Sequence, residues 1–186
     1  MADVPHAPRR SSARERRWLP VVIVTILIVI VAGGARSVAD ATATNAGPVV
    51  MGPLHVQPPE GWQVEGAVTP TFARLHKGPV MLDISVAPPA AGGPAVVATL
   101  YRQQRLEPAF ERLLPGALEE AVLPNGVPAA RFGYLAATAD GVIVNGLVVA
   151  ADASDASVVF DVRAPSSGDL ADVVEDLRSM VEGATI

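Results

Sequence analysis

From Trp18 to Ala35 the chain runs for 18 residues without a charge, and Arg9, Arg10, Arg14, Arg16 and Arg17 stand immediately before that run. An apolar stretch of about this length is near the minimum that crosses the hydrocarbon core of a bilayer as a helix. Arginines gathered on one flank orient such a helix with that flank in the cytoplasm, and Trp18 stands where an amphipathic ring favours the headgroup level. The sequence therefore predicts four parts: a basic cytoplasmic tail over residues 1–17, a membrane-spanning signal anchor over 18–35, a tether over 36–53, and an exported domain over 54–186. The expected location is a bacterial plasma membrane crossed once, with the C-terminal domain outside.

The same run also fits a secretory leader. Ser37-Val38-Ala39 places small residues where signal peptidase cuts, which would release a secreted chain starting at Asp40. The run is longer than an ordinary leader core, is rich in Val and Ile, and has Arg36 beside the site, so the uncleaved anchor is favoured. From Ser37 to Pro53 the residues are small, polar or proline without periodicity, which reads as a flexible tether. Charge divides accordingly. The first 17 residues carry a net charge of +3, whereas the remainder holds nine basic and 17 acidic groups, a net of −8. An acidic exported domain argues against nucleic acid as a partner. The chain has no cysteine, so it has neither a disulfide framework nor a lipid-acylated cysteine. Thirteen Arg against one Lys in an Ala/Val-rich chain fits a GC-rich bacterial genome.

Short strands dominate the expected domain. Pro58-Pro59-Glu60-Gly61 forms a turn that delivers Trp62 into the interior. Strands are expected at Trp62–Val68, Phe72–Lys77 and Val80–Ala87; in the last, Val80, Leu82, Ile84 and Val86 alternate with Met81, Asp83 and Ser85. Pro94 opens a helix over Ala95–Arg105 with Val97, Leu100, Tyr101 and Gln104 inward, and Pro108 interrupts it. A second helical turn is expected over Ala109–Leu114. Strands at Leu118–Leu123, Ala129–Thr138, Val142–Ala151 and Ser157–Ala164 follow, joined by Asn125-Gly126 and Asp140-Gly141 turns. Ser166 and Asp169 resemble a capping box for a last helix whose apolar stripe runs from Leu170 to Val181 and stops at Gly183. The expected class is α+β, an antiparallel sheet of six or seven strands with packed helices. One cluster of Leu82, Ile84, Val86, Phe132, Leu147, Val149, Phe160, Val162, Leu170, Val174 and Leu177 is the expected core.

In its order of elements, and in Pro59-Glu60-Gly61-Trp62 and Asn125-Gly126-Val127-Pro128-Ala129-Ala130-Arg131-Phe132, the domain resembles the PsbP-like group, to which the LpqN-like bacterial lipoproteins belong. The resemblance spans about residues 54–186. It implies an α/β/α sandwich around an antiparallel sheet, used as an accessory or binding domain without a shared catalytic set. The missing acylated cysteine sets this chain apart from the lipoprotein members.

No nucleophile elbow, phosphate loop, dinucleotide fingerprint or His-Glu-x-x-His motif occurs. His55, His76 and Asp83 are metal ligands only if separate strands align them. Arg102, Arg105 and Arg112 recur along one helical region as a solvated face or a docking face for an acidic partner. Arg131, Tyr134, His76 and Lys77 are candidates for lining a polar pocket on the open side of the sheet. The expectation is a membrane-anchored, non-catalytic binding or accessory domain without cofactor or metal. Its partner would be an envelope protein or a small ligand. The alternatives are an envelope hydrolase built on His76 and a cleaved, secreted structural protein.

Overall fold

The structure, a computed structural model, describes residues 46–165 and 170–185. The tail, the apolar run and the Ser166–Asp169 capping residues lie outside the described residues, as does the tether up to Asn45. No helix among the described residues is long and apolar enough to cross a membrane. Among the described residues there are ten strands: β1 (Val49–Met51), β2 (Leu54–Val56), β3 (Gln63–Val64), β4 (Phe72–Lys77), β5 (Val80–Ala87), β6 (Arg112–Pro115), β7 (Glu119–Val122), β8 (Pro128–Ala137), β9 (Ile143–Asp152) and β10 (Ser157–Pro165). The helices are α1 (Gly93–Tyr101), continued by a π-helical turn (Arg102–Leu106) into α2 (Glu107–Ala109), and α3 (Leu170–Gly183).

Eight strands form one antiparallel sheet in the order β3-β4-β5-β10-β9-β8-β6, with β7 also pairing β8. The chain leaves β5 in mid-sheet, crosses through α1 to the far edge, and returns strand by strand until β10 closes against β5. That last pairing puts Phe160 opposite Ile84 and Asp161 opposite Asp83. A loop residue pins the start of the crossover, since the Ala90 N–H donates to Ser157 Oγ at 3.1 Å.

Both faces of the sheet are covered, so the interior is two clusters rather than the single one expected. Leu82, Ile84, Val158, Phe160 and Val162 pack under α3 (Val173, Leu177, Met180, Val181) together with β1, β2 and Trp62. Phe132, Tyr134, Val148, Ala150 and Val159 pack under α1 and the π-helical turn. Phe132 therefore belongs to the second cluster. Leu147, Val149 and Leu170 only partly bury against the first, and Val174 is 37% exposed.

Three further expectations change. Strand β1 falls inside the stretch read as tether, and its Val49 and Met51 are buried; the Gly52-Pro53 turn folds it onto β2, which the absence of a longer period had hidden. The strand expected over Trp62–Val68 shortens to β3, two residues paired with β4. The helical turn expected over Ala109–Leu114 is instead strand β6. Six residues with Phe110, Leu113 and Leu114 cannot distinguish the two periods. The open edge of β8 decides it, pairing Leu113 with Ala136 and Leu114 with Leu135.

The π-helical turn also rotates the helix face. The Glu107 N–H reaches the Arg102 carbonyl five residues back, so each residue beyond it shifts relative to a regular α-helix. Leu106 becomes buried, whereas Gln104, read as inward, is exposed; Leu100, also read as inward, is exposed ahead of the turn. Pro108 follows at once; it has no N–H for the carbonyl four residues back, and the helix ends at Ala109.

Candidate functional site: a polar cleft under the crossover helix

Beside the second cluster, the α1 face of β4, β5 and β10 carries charge instead of hydrocarbon. Cross-strand pairing sets Arg74 opposite Asp83 and Asp83 opposite Asp161. Two carboxylates directly opposed on neighbouring strands repel, and both are buried. The arginines resolve that conflict. Arg74 donates from Nε and Nη2 to the two oxygens of Asp83, at 2.6 and 2.9 Å, in a bidentate pair. Arg163 bridges both acids, with Nη2 2.9 Å from Asp83 Oδ2 and Nη1 3.1 Å from Asp161 Oδ2. Asp161 also accepts from the Tyr134 hydroxyl on β8 at 2.7 Å and from the Tyr101 hydroxyl on α1 at 3.0 Å.

This network fixes protonation states. Burial, and then the Asp161 charge, push both tyrosine hydroxyls well above their ordinary range. Burial raises the Asp161 carboxyl, although Arg163 and the two tyrosines oppose the shift. Arg74 is held up chiefly by its hydrogen bond to Asp83. Burial works against the Arg163 charge, but the facing Asp83 and Asp161 outweigh it and raise its pKa.

The network opens into a cleft of about 510 Å³. Its floor includes Arg74, Asp83, Ser85, Asp161 and Arg163, and its wall is Tyr101, Arg105, Leu106 and Phe110 from the helical crossover. Phe72 lies below Arg74, whose guanidinium stands 5.7 Å from the ring centroid. Tyr134 reaches Asp161 because β9 has Gly146 opposite it; a Cβ there would lie 2.0 Å from the Tyr134 ring.

The seven residues singled out in the sequence do not form one surface. Arg105 lines the cleft and Tyr134 stands behind it. Arg102 is half-buried, with its Nε 3.5 Å from Glu107 and no hydrogen bond to that atom. Arg112 is exposed on the edge strand β6. His76, half-buried on β4, is not among the cleft residues. Lys77 points to the other face and donates to Asp176 of α3 at 2.7 Å, alongside the Trp62 indole N–H at 2.8 Å. Arg131 is also on that face, paired with Glu119 at 2.9 Å, and borders a smaller groove of about 290 Å³ beside α3. Asp83, weighed above as a metal ligand, is committed to two arginines, and no metal-ligating group of three occurs among the described residues.

Arg74, Asp161, Arg163 and Tyr101 escaped the sequence reading. The available signal was a charge at the outward position of an alternating strand, as in Val158-Val159-Phe160-Asp161-Val162-Arg163. What it lacked was the strand order that makes β4, β5 and β10 neighbours.

A wholly antiparallel sheet with a helical crossover on one face and a C-terminal helix on the other is a PsbP-like fold. Among solved structures, the cyanobacterial PsbP of Synechocystis is 13% identical with a TM-score of 0.52, over 83% of this chain and 98% of that one. A point mutant of the protein Mog1 is 13% identical with a TM-score of 0.53, over 75% and 94%. LpqN of Mycobacterium tuberculosis, described as involved in cell envelope biogenesis, is 10% identical with a TM-score of 0.52, over 71% and 82%. At these identities the likeness is one of fold. No family model and no curated protein matches the sequence.

Proposed function

We propose that this chain is a membrane-anchored protein whose PsbP-like domain lies outside a bacterial plasma membrane and acts there by binding, as an accessory domain rather than a catalyst. The observation that carries the binding role is the saturation of the cleft's acids. Asp83 accepts three guanidinium N–H bonds, and Asp161 accepts two phenol bonds and one guanidinium bond. A general base needs an uncommitted carboxylate or imidazole within reach of a substrate proton; these oxygens are already spent on holding the cleft in shape. Location rests on the uncharged run behind five arginines. A fold shared with LpqN, described as involved in cell envelope biogenesis of Mycobacterium tuberculosis, agrees with it.

The cysteine-free chain allows a direct test. A membrane-impermeant maleimide applied to spheroplasts should label Asp155→Cys, at an exposed turn, and should label Ser12→Cys only after lysis. The reverse pattern would overturn the location. For the binding role, a chain carrying His55→Ala and His76→Ala should complement a deletion strain as well as the unaltered chain does. Loss of complementation by a folded double variant would favour the hydrolase, because general acid–base catalysis is worth about 10²–10⁴-fold in rate.

A further inference from the structure

We propose that the cleft under α1 is a receptor site for a small organic oxyanion, a carboxylate or phosphate monoester with an apolar body, held by Arg74, Arg105 and Arg163. This deepens the reading of the domain as a binding domain and rests on it. The argument begins with a count of donors. A guanidinium carries five N–H groups. Arg74 spends two on Asp83, and Arg163 spends one on Asp83 and one on Asp161. Each therefore keeps three, on side chains that are 35% and 21% exposed at the cleft.

Arg105 adds a third cation to the wall and forms no ion pair with a described residue. Two acids against three arginines leave the cleft with a net charge of +1, in a chain that is acidic overall. Ser85 Oγ, in the floor, is buried and has no hydrogen-bond partner, a state that costs free energy unless something supplies an acceptor or a donor. A cation fits poorly, because the acids that would ligate it already accept three bonds each. The bidentate fork of arginine matches the geometry of carboxylate and phosphate oxygens.

The body of the ligand follows from the other walls. Phe72, Leu106 and Phe110 supply apolar contact, and about 510 Å³ lies within the range that encloses a small molecule rather than a protein surface. The π-helical turn is what aims the wall. It lies between Tyr101, which is tied to Asp161, and Leu106, which is packed in the core, and it carries Arg105 at the cleft.

The test is calorimetric titration of the full chain in a neutral detergent with phenyl phosphate, benzoate and inorganic phosphate. Phenyl phosphate or benzoate should saturate at one per chain and bind more tightly than inorganic phosphate, which lacks the apolar body. R105Q should weaken binding tenfold or more, S85A several-fold, and R178Q, on the opposite helix α3, not at all. Arg105 is exposed and unpaired, so R105Q should melt with the unaltered chain; matching melting curves keep its result interpretable. The titration repeated in lipid nanodiscs separates two sources of the anion. Weaker binding in nanodiscs containing phosphatidic acid, whose headgroup is a phosphate monoester, than in phosphatidylcholine alone assigns the site to a lipid headgroup, and equal binding assigns it to a free solute. Absence of binding by all three probes, or binding indifferent to R105Q, overturns the proposal. Maleimide labelling reads location independently, so failure of the anion site and failure of the envelope reading remain distinguishable.

Discussion

Asp161 concentrates the chemistry of this domain at the scale of single residues. It is fully buried, it faces a second acid on the next strand, and both tyrosines of the chain donate to it. Breaking one partner of such a buried charge costs more than the pair contributes, because the remaining charge loses its compensation. The tyrosines make this visible against pH. Their hydroxyls titrate well above 10 when folded and near 10 when unfolded. Above pH 10 the unfolded chain therefore binds fewer protons than the folded one, and stability falls as pH rises, with the full contribution present below 10. The expected slope is about 1.4 kcal/mol per pH unit for each tyrosine. Urea midpoints measured across that window should show it, and Tyr134→Phe should halve it. Phenolate absorbance that rises near pH 10 while the chain is still folded would contradict the burial of these rings. Asp83 was legible as a charge in an alternating strand, but its opposition to Asp161 was not, because register between residues 78 positions apart leaves no local trace.

Among the elements, the strands followed their sequence most faithfully. Period-two alternation gives β5 and β10 a hydrocarbon face under α3 with the charge network on the other face, and it gives β8 a buried face of Ala130, Phe132, Tyr134 and Ala136 under α1. Helix α3 holds its position through Leu177 in the core and through Asp176, which accepts from both Trp62 and Lys77. Phe160→Ala and Leu177→Ala should each cost about 2–5 kcal/mol through lost burial and the cavity left behind. Val174→Ala should cost far less, since that side chain is 37% exposed beside the smaller groove. Denaturant unfolding of the three variants checks the ranking; equal losses would mean that α3 sits on the sheet through a different face. The helical crossover was the least legible element. Apolar spacing placed Tyr101 correctly but turned Gln104 inward, because a five-residue hydrogen-bonded turn cannot be inferred from a 3.6-residue period.

The whole molecule joins a predicted anchor to a domain whose fold is PsbP-like. The anchor makes its own prediction. Peptides from residues 1–17 should be recovered by mass spectrometry in the membrane fraction, still attached to the chain. A mature N-terminus at Asp40 would replace the anchored protein with a secreted one. At this scale too, β1 pairs with β2 in packing the first cluster, within the stretch expected as a tether, and the Ala46 N–H donates to the Trp62 carbonyl at 2.8 Å.

Turn chemistry and periodicity are local properties, and the sequence by itself determined what depends on them. It specified the Asn125-Gly126 hairpin, with Gly126 at φ 82° where a side chain is disfavoured. It also specified the alternating strands, the amphipathic α3 and the buried Trp62. The tertiary structure alone decided what depends on which strands become neighbours. The crossover from β5 leaves an open edge that only β10 fills. That closure brings two acids face to face, draws Arg74 and Arg163 between them, and divides the interior into two clusters. Electrostatic and packing terms of this kind act between residues distant in the chain, and only the folded backbone sets their separation.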